Sequence, residues 1–213
     1  MDSKSIQQEF IEKSIRKIHA RRKLFFYICI VLVFLAPIFV FVVTVRDTNS
    51  LGRELLGEER YQVRMRDSYL YSGATLLLCA LMITPVFFTL HKFFNRYLAV
   101  LPTLSSGDIL KAEALNQHLS SFQKYLHPYV FRGEEVIFFK LLASYKIPLR
   151  AISKIKINRV SGRGGSTNIL RISTPGGTHK FGMPNDAYSL HNLLREALEV
   201  NPRIEVVRKE GLF

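Results

Sequence analysis

Apolar and polar residues are distributed unevenly along this chain: two uncharged blocks come first, then a helical stripe, then short alternating runs. The first block, LFFYICIVLVFLAPIFVFVVTV at 24–45, contains no charged side chain. About 20 apolar residues rising 1.5 Å each cover the roughly 30 Å of bilayer hydrocarbon, so a transmembrane helix is predicted here. It exceeds the usual core of a cleaved signal peptide and runs straight into Arg46 and Asp47 without a small-residue cleavage site. Pro37 predicts a kink. The second block, YLYSGATLLLCALMITPVFFTL at 69–90, is also uncharged and opens with Tyr69 and Tyr71, where interfacial aromatic residues concentrate. Its small residues Ser72, Gly73, Ala74 and Thr75 allow close approach of another helix, the first span being the nearest partner.

The flanks of the two blocks set the expected orientation. Residues 1–23 form a basic segment in which Ile6, Phe10, Ile11, Ile15 and Ile18 recur at helical spacing. Lys13, Arg16, Lys17, Arg21 and Arg22 fill other positions. An amphipathic helix lying on an anionic leaflet, or binding a partner, is expected. The 46–68 loop holds five Arg and five acidic residues, more dispersed than the Arg21, Arg22, Lys23 cluster. The positive-inside rule then places both termini in the cytoplasm and the loop outside. Within that loop, residues 51–65 offer a short interfacial helix, which Gly52 and Gly57 make a poor one.

Beyond the second block, a connector is predicted over 91–126. Ile109, Ala112, Leu115, Leu119, Phe122 and Leu126 form a helical stripe, opened by the capping candidates Ser105, Ser106, Gly107 and Asp108. Residues 127–200 change texture. VIFFKLLASYKIPL, AISKIKINRV, NILRIST and THKFGM read as short strands of a small antiparallel sheet, and the PGG at 175–177 reads as a hairpin turn. Asn185 or Asp186 caps a last helix with Leu190, Leu193, Leu194, Ala197 and Leu198 on one face. Residues 201–213 are left as a tail. The expected fold class is α+β: a two-helix transmembrane hairpin followed by a small β domain.

Charge narrows the partners. The net +13 is compatible with nucleic acid or an anionic membrane surface, since both present phosphate to basic side chains. Much of it lies beside the apolar blocks, where orientation and head groups account for it, so nucleic acid is not expected. Cys29 and Cys79 lie inside the blocks and read as small packing residues.

Catalytic and metal chemistry find little support. The six histidines show no H-E-x-x-H spacing, and no G-x-S-x-G occurs. Glu134 and Glu135 are adjacent, and neighbouring strand residues point to opposite faces. SGRGGST at 161–167 lacks the lysine of a P-loop and precedes a strand; it reads as a flexible turn, or as an anion contact through its amides and Arg163. No cofactor or metal is expected. The usable surface feature is the basic set Lys154, Lys156, Arg159 and Arg163, either a solvated strand face or a contact for anionic head groups or a partner.

The order GEEVIFFK, YKIPLRAISKIKI, GRGGSTNILRISTPGGTHKFGMPND and SLHNLLREALE resembles the bacterial pleckstrin-homology-like (PH-like) domains, whose members often follow a two-helix membrane hairpin. The resemblance covers about the last 85 residues and implies a bent sheet closed by the C-terminal helix. It implies binding or assembly more than catalysis. The expectation is a non-enzymatic, multi-pass protein of the inner cell membrane, tethering a domain that binds anionic lipid, a protein partner or its own copies. An oligomeric transport or channel component is the alternative. A membrane enzyme would need acidic or histidine clusters at the cytoplasmic interface.

Overall fold

The computed structural model describes residues 3–119, 124–162, 165–184 and 186–209. Helix α1 runs from Ser3 to Leu56 and helix α2 from Glu58 to Val100. The chain falls into two compact units, residues 19–92 and residues 1–18 with 93–213.

In the first unit the two apolar stretches lie in helices long and apolar enough to cross a membrane. Phe39, Leu81 and Met82 are each about two-thirds exposed, so these helices are not core helices turned inward. Between them, Phe26 packs on Phe87 and Phe41 on Tyr69, with ring centroids 5.3 and 5.1 Å apart. The small-residue stretch supplies the crossing bond: the Ser72 hydroxyl donates to the Pro37 carbonyl at 3.0 Å.

The 46–68 segment is not a separate loop. It is largely helical, and the chain reverses between Gly52 (φ +69°) and Gly57 (φ +74°). Positive φ is cheap only without a Cβ, so the residues that weaken a helix here are those that permit the turn. Asp47 with Arg64, and Asn49 with the Tyr61 hydroxyl, pair the two helices beside it.

In the second unit, Phe10, Ser14 and Ile18 of α1 are buried. Of the stripe expected to lie on a lipid leaflet, Phe10 and Ile18 are therefore covered within this unit, while Ile11 and Ile15 are half-buried. Helix α3 (Ser106–His118) starts with a capping box between Ser105 and Asp108. It ends well short of the expected 126: Leu119 is extended, Tyr125 has φ +66°, and the Asn116 side chain accepts the Tyr125 amide instead. Phe122 lies outside the described residues.

Two sheets follow. Strands β1 (Tyr129–Arg132), β2 (Glu135–Phe139) and β3 (Ser144–Pro148) form an antiparallel meander. Strands β4 (Lys154–Gly162), β5 (Gly165–Thr174) and β6 (Gly177–Pro184) form a second one. Helix α4 (Ala187–Val200) follows, capped by Asp186, whose carboxylate accepts the Tyr188 and Ser189 amides.

The expected tail then departs from the sequence reading. Residues Glu205–Lys209 form β7, which pairs in parallel with β4, so the second sheet is mixed, in the order β6-β5-β4-β7. Val206 packs against the core and Glu205 bonds Lys154, which explains why this segment adheres. One core joins the layers: Phe131, Val136, Phe138 and Ile147 meet Ile155, Leu170, Ile172 and Phe181, with Leu193, Leu194 and Ala197 of α4 over them. The α4 stripe is as read from its spacing, except that Leu198 remains exposed.

Candidate functional site

Alternation along β4 sends Ile155 and Ile157 into the core and Lys154 and Lys156 to the outer face of the four-stranded sheet. Register decides what surrounds each lysine. One cross-strand row places Lys154 opposite Ser173 and Glu205, with Ser173 opposite Thr178. This row is internally satisfied: the Lys154 ammonium lies 2.8 Å from the Glu205 carboxylate, and the Ser173 and Thr178 hydroxyls are 3.1 Å apart.

The next row differs. Lys156 stands opposite Arg171 on β5, and Arg171 stands opposite Lys180 on β6, with Val207 on the other side of Lys156. Directly opposed residues have Cβ atoms about 5 Å apart, and like charges in that position repel by a few tenths to about 1 kcal/mol per pair. Among the described residues no carboxylate forms an ion pair with Lys156, Arg171 or Lys180. Arg171 and Lys180 are exposed and Lys156 is half-buried. Three cations on adjacent strands form a flat row of donors to which phosphate or carboxylate oxygens can bind.

Of the four basic residues read from sequence, Lys156 belongs to this row and Lys154 is neutralised by Glu205. Arg159 is exposed, its guanidinium 3.5 Å from the Ser166 hydroxyl, and Arg163 lies outside the described residues. Arg171 and Lys180 were missed, although a signal existed. With Pro175 and Gly176 as a two-residue turn, Thr174 pairs with Gly177, and counting back three places sets Arg171 against Lys180. The Lys156 to Arg171 pairing follows in the same way from Gly162 opposite Gly165.

A second polar feature sits where α2, α3 and β1 converge. His127 is buried; its Nδ1 lies 2.8 Å from the Tyr97 hydroxyl and its Nε2 lies 2.9 Å from Asn116 Oδ1. Asn116 Oδ1 also accepts the Tyr125 amide, so it is the acceptor for Nε2–H. The Tyr97 hydroxyl accepts the His127 backbone N–H and donates to Nδ1. Every bond thus fits the neutral imidazole, and burial lowers the His127 pKa to about 4. Beside it lies a cleft of about 270 Å³ between Glu9 and Lys13 of α1 and Glu113, Gln117 and Lys124. Its mixed charges balance, and the network reads as an interlock of the fold.

Other candidates resolve into structural roles. Glu134 pairs with Arg150 and Glu135 with Arg132, so the two acids form no shared site. Glu196, buried on α4, pairs with Lys111 of α3 and with Arg195. Among the described residues no group of three His, Cys, Asp or Glu side chains is placed to hold a metal. In the apolar helices the hydroxyls of Thr44, Ser72, Thr75 and Thr89 each donate to a backbone carbonyl. Comparison with protein families, curated proteins and solved structures returns no match.

Proposed function

We propose that this chain is a non-enzymatic, membrane-anchored binding module, in which a helical hairpin tethers a PH-like domain that engages anionic lipid head groups. The hairpin crosses the cell membrane twice with both termini in the cytoplasm, and the outer face of the four-stranded sheet is the binding face. The observation that carries this reading is the Lys156, Arg171, Lys180 row, in register and without acidic partners among the described residues. Exposed apolar helices in the same chain support a lipid setting, where each basic residue near an anionic surface adds about 1 kcal/mol of attraction. The transport alternative gains no support from span hydroxyls already committed to backbone carbonyls.

The test uses the full chain in neutral detergent, titrated with short-chain phosphatidylglycerol or phosphatidylcholine while thermal unfolding is followed. A ligand that binds only the folded state raises its stability with concentration. Stabilisation by the anionic lipid alone is expected, reduced by salt and removed by Lys156→Ala/Arg171→Ala/Lys180→Ala. Equal stabilisation by both lipids, or an unchanged response in the triple variant, would end this reading.

A further inference from the structure

The turn between β2 and β3 breaks the chemistry of its position. Lys140 N–H donates to the Ala143 carbonyl at 2.8 Å, leaving Leu141 and Leu142 as the two residues at the apex. Two-residue hairpin apices favour Gly, Asn and Asp where the turn needs positive φ; neither Leu141 nor Leu142 has positive φ, so the backbone accepts them and their exposure is the unusual feature. Here both positions are leucine, 53% and 74% exposed. An isolated exposed leucine needs no explanation, but an adjacent pair at a protruding tip does.

The surroundings of that tip are cationic. The Lys140 ammonium is held over the rings of Tyr145 and Phe181, at 4.7 and 4.9 Å from their centroids. Tyr145 lies against His179 and Phe181 of β6, with centroids 5.4 and 5.6 Å away, so the apex hangs beside β6, whose Lys180 points to the outer face. Lys146 is exposed on β3. Among the described residues, none of Lys140, Lys146 and Lys180 forms an ion pair with a carboxylate. An apolar tip with Lys140 at its base, and Lys146 and Lys180 on the outer faces of the two strands beside it, matches the layering of an acidic lipid surface, with hydrocarbon below and phosphate above.

We infer that the β2–β3 apex is a lipid-inserting anchor: Leu141 and Leu142 enter the acyl region of a bilayer, while Lys140, Lys146 and Lys180 meet its acidic head groups. This deepens the head-group reading above and rests on it for the lipid. The apex sets depth, whereas the Lys156, Arg171, Lys180 row sets charge preference.

The chain contains no tryptophan, so Leu142→Trp places a single reporter at the apex and Leu198→Trp places a reference on the exposed side of α4. Each full-length variant is reconstituted into phosphatidylcholine vesicles, with or without phosphatidylglycerol, made from ordinary or acyl-chain-brominated lipid. Leu142→Trp is expected to emit at shorter wavelength than Leu198→Trp and to lose most of its intensity to bromine, the loss deepening with phosphatidylglycerol. Leu141→Trp repeats the reading should the first variant fold poorly.

Quenching at the apex no greater than at Leu198→Trp would overturn the inference, including the case in which the tip instead captures a protein. The two readings fail separately. Apex quenching that is indifferent to phosphatidylglycerol keeps the insertion of the two leucines but overturns the acidic head-group contacts together with the head-group face. Selective stabilisation by phosphatidylglycerol without apex quenching does the reverse.

Discussion

The unit at 19–92 and the β unit use the same apolar side chains in opposite ways. Along the hairpin, Phe39, Leu77 and Met82 point outward, and the apolar stretches of the helices meet through ring contacts and the Ser72 hydroxyl bond, with polar pairs such as Asp47–Arg64 nearer the turn. In the β unit, Phe138, Leu170 and Ile172 are shielded between sheets and helix, and charge covers the outside. The difference teaches that burial is relative to a solvent. A domain in water hides apolar area from it, at about 25 cal/mol per Å², whereas a span is stable with apolar groups outside because every backbone bond is made within the helix.

The sharpest way to break this comparison is to place one carboxylate in each unit. Leu170→Asp should unfold the β unit, costing more than about 4 kcal/mol, because a fully buried leucine is replaced by an unpaired charge. Loss of the cooperative thermal transition would report it. Leu81→Asp, 65% exposed in α2, should leave that transition in place yet cost roughly 3 kcal/mol of insertion near a span centre. Extraction by alkaline carbonate measures this, and retention equal to wild type would contradict the spanning role.

Acid sharpens the comparison within the β unit. An unfolded histidine titrates near 6.5, while burial holds His127 at about 4. The folded state therefore binds fewer protons, so stability is fully present above about 6.5 and falls as pH drops toward 4. The loss should approach roughly 3 kcal/mol from this shift. Chemical denaturation of wild type and His127→Gln across that window checks it, the variant losing the slope. An unchanged slope would mean that His127 is not the group responsible.

A smaller effect is expected at Asp108, which caps α3 and accepts the Gly133 amide of the β1–β2 turn at 3.1 Å. Asp108→Ala should cost about 1 to 2 kcal/mol by freeing both ends, read as a lower denaturation midpoint. The smallest change carries the opposite sign. Arg171→Gln should raise stability by a few tenths to about 1 kcal/mol, because it removes two like-charge contacts, while weakening stabilisation by anionic lipid. A loss of stability would show that the row is not repulsive.

Local patterns in the chain made several elements legible. The apolar blocks, a capping stretch at 105–108, a cap at Asn185 or Asp186, the PGG hairpin and the α4 stripe each depend on residues close together in the chain. The site was half legible. Lys156 was marked by strand alternation, while Arg171 and Lys180 needed a count outward from the turns, and Lys154 looked free until Glu205 arrived from 51 residues away. The tail was misread because β7 pairs in parallel after a crossover helix, and nothing nearby in sequence announces such a partner.

Neighbouring side chains and backbone dihedrals sufficed to mark which segments are apolar enough to cross a membrane, which alternate as strands, and where α3 and α4 begin, whereas the start of α2 at Glu58 was not read. Register and long-range packing set the rest: Lys154 is neutralised while Lys156 is not, Phe10 and Ile18 of the α1 stripe are covered, and two leucines crown a turn beside β6. Those outcomes depend on register and on contacts between distant segments, where a single residue's slip would exchange one face of the sheet for the other.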